Sequence, residues 1–177
     1  MAVNRRPPWV EYSELDLSKA TPFDRVNKWY ELACAFSTDT HETPLLKIMS
    51  LESVVSSPTP DSPHHSVTVF TLTVPRSLCN MGYNLHGGAV ALIFDMCTSM
   101  SINALSHPGF WDSGHVSRTL NCTYLRPVPE GGKIWIESEV VHLGKKMGLT
   151  RGVIKDENGK VCYVCEHGKA ITGGGKL

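Results

Sequence analysis

A candidate base and a candidate anion site lie in one segment of this sequence. Asp95 is the one charged residue between His86 and Leu105, and its neighbours are apolar. Burying an isolated carboxylate is costly, so Asp95 must be paired, hydrogen-bonded or protonated, and in apolar surroundings it is a better base than an exposed aspartate. Gly87 and Gly88 follow His86 at the start of a predicted helix, where free backbone N–H groups and the positive end of the helix dipole favour negative charge.

The helix that carries these groups is predicted within residues 80–105, and apolar side chains surround it. They occupy the whole helical wheel rather than one stripe, which is typical of a helix enclosed by protein. Asp95 follows His86 by nine residues, which places the two side chains about half a revolution and on the order of 13 Å apart along one helix. Two side chains so placed cannot meet. If both serve one reaction centre, the second comes from another copy of the chain, so the spacing favours an obligate dimer with composite sites.

The rest of the chain predicts elements that enclose this helix. An N-terminal helix begins with Thr21 as its cap and Pro22 at the first helical position. Segments rich in strand-forming residues predict six strands, at 44–55, 67–74, 115–125, 132–143, 147–155 and 161–172. The first two form a hairpin, and short turns join the last four into a meander of antiparallel neighbours. The predicted fold class is α+β, with an antiparallel sheet of about six strands wrapped around one long central helix and an extra N-terminal helix.

The length of 177 residues suits one domain with additions at its ends. Residues 1–20 are rich in proline and charge and are predicted to form a flexible N-terminal arm. The N-terminal helix occupies residues 21–40, the main domain residues 41–172 and a tail residues 173–177. Within the domain, residues 56–65 carry three prolines and are predicted to form a loop.

Composition limits the classes of partner and compartment. The 17 basic and 17 acidic residues cancel, so no overall field attracts nucleic acid or an anionic membrane. No apolar run of about 18 residues predicts a transmembrane helix. The N-terminus lacks the apolar core of a signal peptide, which favours a cytoplasmic location, and its early acidic residues disfavour mitochondrial import. The terminal Gly-Lys-Leu comes close to the peroxisomal Ser-Lys-Leu address, and a plain frayed tail is the alternative.

The six cysteines predict neither disulfides nor a metal site. Cys162 and Cys165 fall in a predicted strand, where residues three apart point to opposite faces and cannot converge on zinc. Buried thiols that behave as small apolar side chains are the interpretation. We therefore expect no metal and no cofactor.

Ser117 is a candidate polar group on the third predicted strand. Strict alternation places it on one face with Thr119, Asn121 and Thr123, and places Val116, Arg118, Leu120, Cys122 and Tyr124 on the other. A polar face of a single chain would ordinarily meet solvent. For Ser117 to act in a dry pocket, a partner chain or a loop must cover it, which again favours a dimer; an ordinary polar strand face is the alternative.

Four features in order carry a family resemblance. They are Asn80, the run Gly-Tyr-Asn-Leu-His-Gly-Gly, Asp95 nine residues after the histidine, and the later run Val-Ser-Arg-Thr-Leu-Asn-Cys-Thr-Tyr-Leu-Arg-Pro. Over residues 45–171 the chain resembles the hotdog-fold acyl-CoA thioesterases of the 4-hydroxybenzoyl-CoA and phenylacetyl-CoA group. The resemblance implies a hotdog fold and hydrolysis of an acyl-CoA, or a related acyl thioester, to a carboxylic acid and CoA. The N-terminal arm and helix and the proline-rich loop depart from the family, which leaves the substrate class open.

The resemblance also implies roles for five residues. The Gly87 backbone N–H forms the oxyanion hole, Asp95 is the general base or nucleophile, and Ser117 positions the water. Asn80 holds the substrate or water, and His86 is the motif histidine. Each has a structural alternative: a tight helix entry for Gly87, a hydrogen-bonded buried aspartate for Asp95, a polar strand face for Ser117, a loop asparagine for Asn80 and a helix cap for His86.

The polyanionic CoA requires basic groups at the pocket mouth. Lys145, Lys146, Arg151 and Arg126 are the candidates, with a solvated turn as the alternative for the two lysines. The resemblance further implies a homodimer with composite sites and a dimer of dimers, hence a homotetramer. Two other functions stay open: a non-catalytic hotdog protein that binds acyl-CoA, and a hotdog hydratase or dehydratase, whose relatives use an Asp/His or Glu/His arrangement in a different motif.

Overall fold

The structure, a computed structural model, describes residues 7–36, 40–112 and 114–171. The helices are α1 (Pro8–Ser13), α2 (Pro22–Phe36), α3 (Thr43–Leu46) and α4 (Gly87–Ser101), with short 3₁₀ helices at Arg76–Leu78 and Ile102–Ala104. The strands are β1 (Ser50–Ser56), β2 (Ser66–Thr73), β3 (His115–Tyr124), β4 (Lys133–Leu143), β5 (Met147–Asp156) and β6 (Val161–Ile171). The predicted α+β class, with six antiparallel strands around one long helix, is confirmed. The terminal Gly-Lys-Leu lies outside the described residues.

The strands form one sheet in the order β1-β2-β4-β5-β6-β3, with every pair antiparallel. The predicted hairpin of β1 and β2 is confirmed, and β4, β5 and β6 form a meander. The prediction that β3 precedes β4 in this meander is wrong, because β3 pairs with β6. Its connection to β4 buries Val128, whose carbonyl accepts the Leu85 N–H at 2.8 Å, so the chain crosses beside the start of α4 before β4 joins β2. β3 therefore lies at the edge of the sheet.

Helix α4 lies on the inner face of this sheet and supplies much of the core. Its buried side chains include Val90, Ile93, Phe94 and Cys97. Close contact with β5 requires a glycine at position 152, because a Cβ there would lie 2.5 Å from the Phe94 ring. None of the helices in the described part of the chain is long and apolar enough to cross a membrane.

The prediction that protein encloses α4 on every side is wrong for the single chain. One side of the helix, lined by Ala91, Leu92, Asp95 and Ser99, is only half-buried. These positions repeat at three- and four-residue spacing and so form one stripe. Two apolar side chains and the candidate base therefore lie at a surface that this chain leaves partly open.

The N-terminal elements pack against the domain. The predicted Thr21 cap of α2 is confirmed: the Asp24 N–H donates to Thr21 Oγ1 at 3.1 Å, and the Thr21 N–H donates to Asp24 Oδ2 at 2.9 Å. Val26 and Ala33 are buried on one face of this helix. Within residues 1–20, to which the sequence assigned a flexible arm, the structure places α1, whose Tyr12 is buried and hydrogen-bonds Ser106 at 3.2 Å. The proposed domain boundaries stay a prediction.

The predicted strand at residues 44–55 is wrong in its first half. Thr43–Leu46 forms α3, and β1 starts at Ser50. The successive residues Leu45 and Leu46 are both buried, a pattern that one turn of helix allows and an alternating strand does not. The Tyr30 hydroxyl lies 2.7 Å from the Leu46 carbonyl and 2.6 Å from the Met49 carbonyl and satisfies one of them at a time.

All six cysteines are free, and Cys97, Cys162 and Cys165 are buried in the core. Burial raises the pKa of the Cys97 thiol. The prediction that buried thiols act as apolar side chains is confirmed for these three. The pairing of β5 with β6 shifts register beside Cys162, which interrupts the alternation on which the prediction of opposite faces for Cys162 and Cys165 rested.

Candidate active site

Asp95 lies at the centre of a polar cluster on the half-buried side of α4. The Ser117 hydroxyl on β3 donates to Asp95 Oδ1 at 2.7 Å. His167 Nε2 on β6 lies 3.4 Å from the same oxygen. The Asp95 side chain is 40% exposed. The expectation that this carboxylate is hydrogen-bonded is confirmed, whereas the expectation of apolar surroundings is wrong, because β3 and β6 present polar groups to it.

A β-bulge aims Ser117 at Asp95. The pairing of β3 with β6 shifts register between Ser117 and Thr119, so Ser117 pairs with Lys169 and Thr119 with Gly168. Ser117 therefore faces α4, while Thr119 faces away from it. The predicted alternation, which placed both residues on one face, is wrong because Arg118 is the extra residue of the bulge. Ser117 reaches Asp95 within its own chain, so its orientation requires no partner.

His167 is fully buried beneath Asp95. Its Nδ1 lies 2.6 Å from Thr98 Oγ1, and that hydroxyl donates to the Phe94 carbonyl at 2.6 Å. Since Thr98 has one hydroxyl proton, Nδ1 must carry the proton of this contact. In neutral His167 the Nε2 lone pair then faces Asp95 Oδ1 at 3.4 Å without a hydrogen bond, and the contact becomes an ion pair only when His167 is protonated. Burial, followed by the charge of Lys169, lowers the pKa of His167 to about 4, although Asp95 acts in the opposite direction.

Lys169 on β6, which pairs with Ser117 on β3, is the fourth member of the cluster. Its side chain is buried, with 3% of the residue exposed, and its ammonium donates to Ser117 Oγ at 3.0 Å and to Ser99 Oγ at 2.8 Å. Burial lowers the pKa of Lys169 to about 8, while the nearby Asp95 charge acts in the opposite direction. Beside it, burial lowers the pKa of His115 to about 3, with smaller contributions from Lys169 and His167.

The sequence reasoning missed His167 and Lys169. Both belong to the inward-facing set of β6, which begins with the buried Tyr163 and Cys165 and continues at two-residue spacing. A histidine and a lysine on the buried face of a strand are rare unless they are paired. That alternation is the signal that could have identified them.

A second cluster lies at the start of α4. His86 caps the helix, and its Nδ1 accepts the Gly88 N–H at 2.9 Å. Neutral His86 therefore carries its proton on Nε2, which is left to donate. The Gly87 carbonyl accepts from the Tyr124 hydroxyl at 3.0 Å, and the Gly87 N–H has no hydrogen-bond partner within the described residues. A free backbone donor at a helix N-terminus is suited to bind an oxyanion.

Asn80 belongs to this second cluster. Its Oδ1 accepts the Gly82 N–H at 2.9 Å and the Asn84 N–H at 3.2 Å, which holds the loop before α4 in shape. Its Nδ2 makes no hydrogen bond in the part of the chain that the structure describes. The structural role proposed as the alternative is thus present, and one donor group is left for a ligand.

Two depressions adjoin the N-terminus of α4. A groove of about 360 Å³ beside His86 is lined by His41, Ser77, Leu78, Cys79, Gly88, Ala89 and Leu92. A shallower depression of about 390 Å³ lies between the Asn80 loop and the end of β3 and includes Gly87, Tyr124 and Arg126. The predicted anion site thus has space on both sides for a substrate.

The structure does not bring the two clusters together within one chain. Asp95 meets β3 at Ser117, whereas Gly87 meets β3 at Tyr124, seven residues further on. Along α4 the two residues are eight positions apart, or about 12 Å at 1.5 Å per residue. The separation expected from the sequence is therefore present, with Asp95 and Ser117 in one cluster and Asn80, His86 and Gly87 in the other.

The four predicted CoA-binding cations are dispersed. Arg126 lines the same depression as Gly87, and its Nη1 donates to the Val161 carbonyl at 2.6 Å. Lys145 and Lys146 are exposed in the turn between β4 and β5. Arg151 lies on the face of β5 opposite to α4 and pairs with Glu166 at 3.3 Å.

The chain shares sequence and architecture with known thioesterases. Residues 82–163 match the family model of the thioesterase superfamily. The proofreading thioesterase EntH of Klebsiella pneumoniae is 35% identical over 89 residues, which are 50% of this chain and 62% of that protein. This chain thus spans about three fifths of the length of that relative.

Solved structures share the fold. Zebrafish thioesterase superfamily member 2 superposes with a TM-score of 0.67 at 25% identity, covering 83% of this chain and 98% of that one. A hypothetical thioesterase of Streptococcus pneumoniae, solved with coenzyme A, superposes with a TM-score of 0.58 at 20% identity, covering 72% of this chain and 88% of that one. The predicted resemblance to the hotdog thioesterases is therefore confirmed, with residues 82–163 matching the thioesterase superfamily.

Proposed function

We propose that this chain hydrolyses an acyl-CoA, or a related acyl thioester, to a carboxylic acid and a free thiol. The observation that carries the proposal is the 2.7 Å hydrogen bond from Ser117 to a half-exposed Asp95. It fixes the carboxylate while one of its oxygens is left to take a proton from water. The thioesterase relatives, and the structural neighbour solved with coenzyme A, support a thioester as the substrate.

The proposed reaction uses the two clusters together: one activates the water and the other stabilises the oxyanion. Asp95 accepts a proton from a water molecule as the water oxygen attacks the thioester carbonyl. The Gly87 N–H stabilises the oxyanion that forms. Asn80 Nδ2 is a further donor from the depression that Gly87 also lines, and His86 Nε2 is a donor from the neighbouring groove. When the C–S bond breaks, the thiolate takes the proton held by Asp95 and leaves as a thiol.

A nucleophilic Asp95 is the variant of this mechanism. Its oxygen would attack the thioester carbonyl and expel the thiolate as the C–S bond breaks, which forms a mixed anhydride. Water then opens the anhydride at the Asp95 carbonyl and supplies the proton that converts the thiolate to a thiol. A single turnover in ¹⁸O-labelled water distinguishes the two routes, because a general base gives a labelled carboxylic acid and this nucleophilic route an unlabelled one.

The composite site supports a homodimer. Within one chain Asp95 and Gly87 are too far apart to reach one carbonyl, so each pocket would combine Asp95 and Ser117 of one chain with Asn80, His86 and Gly87 of the other. Two surfaces are available for the contact: the outer edge of β3, with which no other described strand pairs, and the half-buried stripe of α4 with Ala91 and Leu92. A dimer of dimers stays a further proposal from the resemblance.

Arg126 is the cation best placed for CoA. It lines the same depression as Gly87 and Tyr124, where a phosphate could reach the guanidinium as the thioester approaches the helix N-terminus. Lys145 and Lys146 would contribute from a different region of the surface. Arg151 is engaged with Glu166 and faces away from α4, so its contribution would need a neighbouring dimer.

The test is the variant Asp95→Asn, which removes the base and keeps the shape of the side chain. We expect turnover to fall by at least about 10² while the fold persists. Thioesters of different chain length and ring content would be assayed with a thiol-reactive dye, with circular dichroism as the control for folding. Activity within a few-fold of the parent would contradict the assignment, and binding of acyl-CoA by a parent that never turns it over would favour the non-catalytic alternative.

A further inference from the structure

Lys169 is a buried cation without an ion pair among the described residues. Its ammonium contacts two hydroxyl groups, Ser117 Oγ at 3.0 Å and Ser99 Oγ at 2.8 Å. Removing an ammonium from water costs more than neutral hydrogen bonds return, so this placement does not favour stability. A charge kept in such a position calls for an explanation in the chemistry of its neighbours.

The donor and acceptor of each hydrogen bond between Lys169, Ser117 and Asp95 can be assigned. An ammonium has three N–H donors and no acceptor, so Ser117 Oγ must accept from Lys169. The single hydroxyl proton of Ser117 therefore cannot point at Lys169. It is donated to Asp95 Oδ1, which lies 2.7 Å away. The chain of donors therefore runs in one direction, from Lys169 through Ser117 to Asp95.

We propose that Lys169 is a positioning residue that, in its ammonium form, fixes the Ser117 hydroxyl as a donor to Asp95 and thereby sets the alkaline limit of the reaction. The proposal rests on the thioesterase function proposed above. A neutral amine has a lone pair and can accept the Ser117 proton, which would leave Asp95 Oδ1 without its donor. Loss of one proton from Lys169 would thus reverse the Ser117 hydroxyl and release the carboxylate that activates water.

The groups that face Lys169 leave its titration isolated near neutral pH. Asp95 faces it from α4, His115 from β3 and His167 from β6, and the opposing residue of β5 is Gly148, which carries no titratable group. Burial lowers the pKa of His115 to about 3 and that of His167 to about 4. Both side chains are therefore neutral above pH 6 and do not change charge while Lys169 titrates. The pKa of Lys169, lowered to about 8, puts its own titration in an accessible range.

The experiment compares pH profiles of kcat and KM for the parent, Lys169→Met, Lys169→Arg and the control Lys155→Met. Lys155 lies on β5 and pairs with Glu137, away from the cluster. We expect the parent kcat to fall above pH about 8, and Lys169→Met to lower kcat by at least about 10-fold at pH 7 and to abolish that fall, with KM within a few-fold. Lys169→Arg, which stays charged, should recover part of kcat and extend activity to higher pH.

A second readout needs no activity. In protein labelled at lysine Cε, the NMR resonance that disappears in Lys169→Met should titrate near pH 8, and Ser117→Ala should lower its midpoint because the ammonium loses an acceptor. A midpoint near 10.5, the ordinary value, or a Lys169→Met variant with the parental kcat and alkaline limb, would overturn the proposal. A parent that cleaves no thioester while Lys169 titrates as expected would instead contradict the proposed function alone.

Discussion

Mixed dimers test the proposed composite site directly. His86→Ala removes a residue of the helix N-terminal cluster, and Asp95→Asn removes the base, so each homodimer should be impaired. If a pocket takes these residues from different chains, a mixed dimer has one pocket with both lesions and one with neither. Random pairing makes half of the dimers mixed and leaves one of their two pockets intact, so activity should recover to about a quarter of the parent level.

The assay requires proven subunit exchange and folded variants. Loss of the His86 cap should cost about 1 kcal/mol of helix stability, which circular dichroism and thermal unfolding would show to be tolerated. The matched control is a mixture of Asp95→Asn with Ser117→Ala, because these residues share one cluster and no pairing restores an intact pocket. No recovery with His86→Ala, or equal recovery in the control, would refute the composite arrangement.

Two further predictions concern the same cluster. Ser117→Ala should lower kcat by about 10-fold or more with only a modest loss of stability, since Ser117 lies near the surface and Lys169 keeps Ser99 Oγ as an acceptor. A large loss of stability at an unchanged rate per folded molecule would point to a structural role. Acid should destabilise the fold, because the pKa values of His115 and His167 are depressed from 6.5 to about 3 and about 4, so their contribution is complete above pH 6.5 and is lost as pH falls towards those values. At pH 5 each histidine would lower the free energy of unfolding by about 2 kcal/mol. Urea unfolding at pH 7.5 and pH 5 should therefore show that His115→Phe loses about half as much unfolding free energy as the parent. The control His142→Phe, at an exposed position, should lose as much as the parent.

The hydrophobic pattern predicted the elements that form the core. Five of the six predicted strands overlap the observed ones closely, because alternating and β-branched runs between Pro and Gly turns have few other ways to bury their side chains. The prediction of a strand at residues 44–49 was wrong because the Tyr30 hydroxyl, sixteen residues before Leu46, hydrogen-bonds the carbonyls of Leu46 and Met49. In a strand these carbonyls would accept from a neighbouring strand. The predicted pairing of β3 with β4 was wrong because the connection between these strands is long enough to reach a distant position in the sheet. The burial of Val128 anchors the middle of this connection.

The candidate site was predictable where motif and backbone coincide, and not where packing decides. Asp95 and Gly87 follow from their positions on one helix. Ser117 was identified, but its direction depends on a bulge at Arg118 that no local pattern indicates. His167 and Lys169 join the site only because β6 pairs with β3 beside α4, a contact made across seventy residues between Lys169 and Ser99.

The two sides of α4 serve different purposes. β2, β4 and β5 cover one side with Phe70, Ile134, Ile136 and Ile154, all fully buried, and this apolar half supplies the stability of the domain. β3 and β6 cover the other side with the exposed Ser117 and the buried His167 and Lys169, and the burial of these last two is unfavourable for stability. The polar half lies at the edge of the sheet, so the same strands that orient Asp95 also offer the outer edge of β3 to a second chain. An arrangement that completes each pocket at that edge would link assembly to catalysis, because the carboxylate is oriented within one chain while its oxyanion site is supplied by the other.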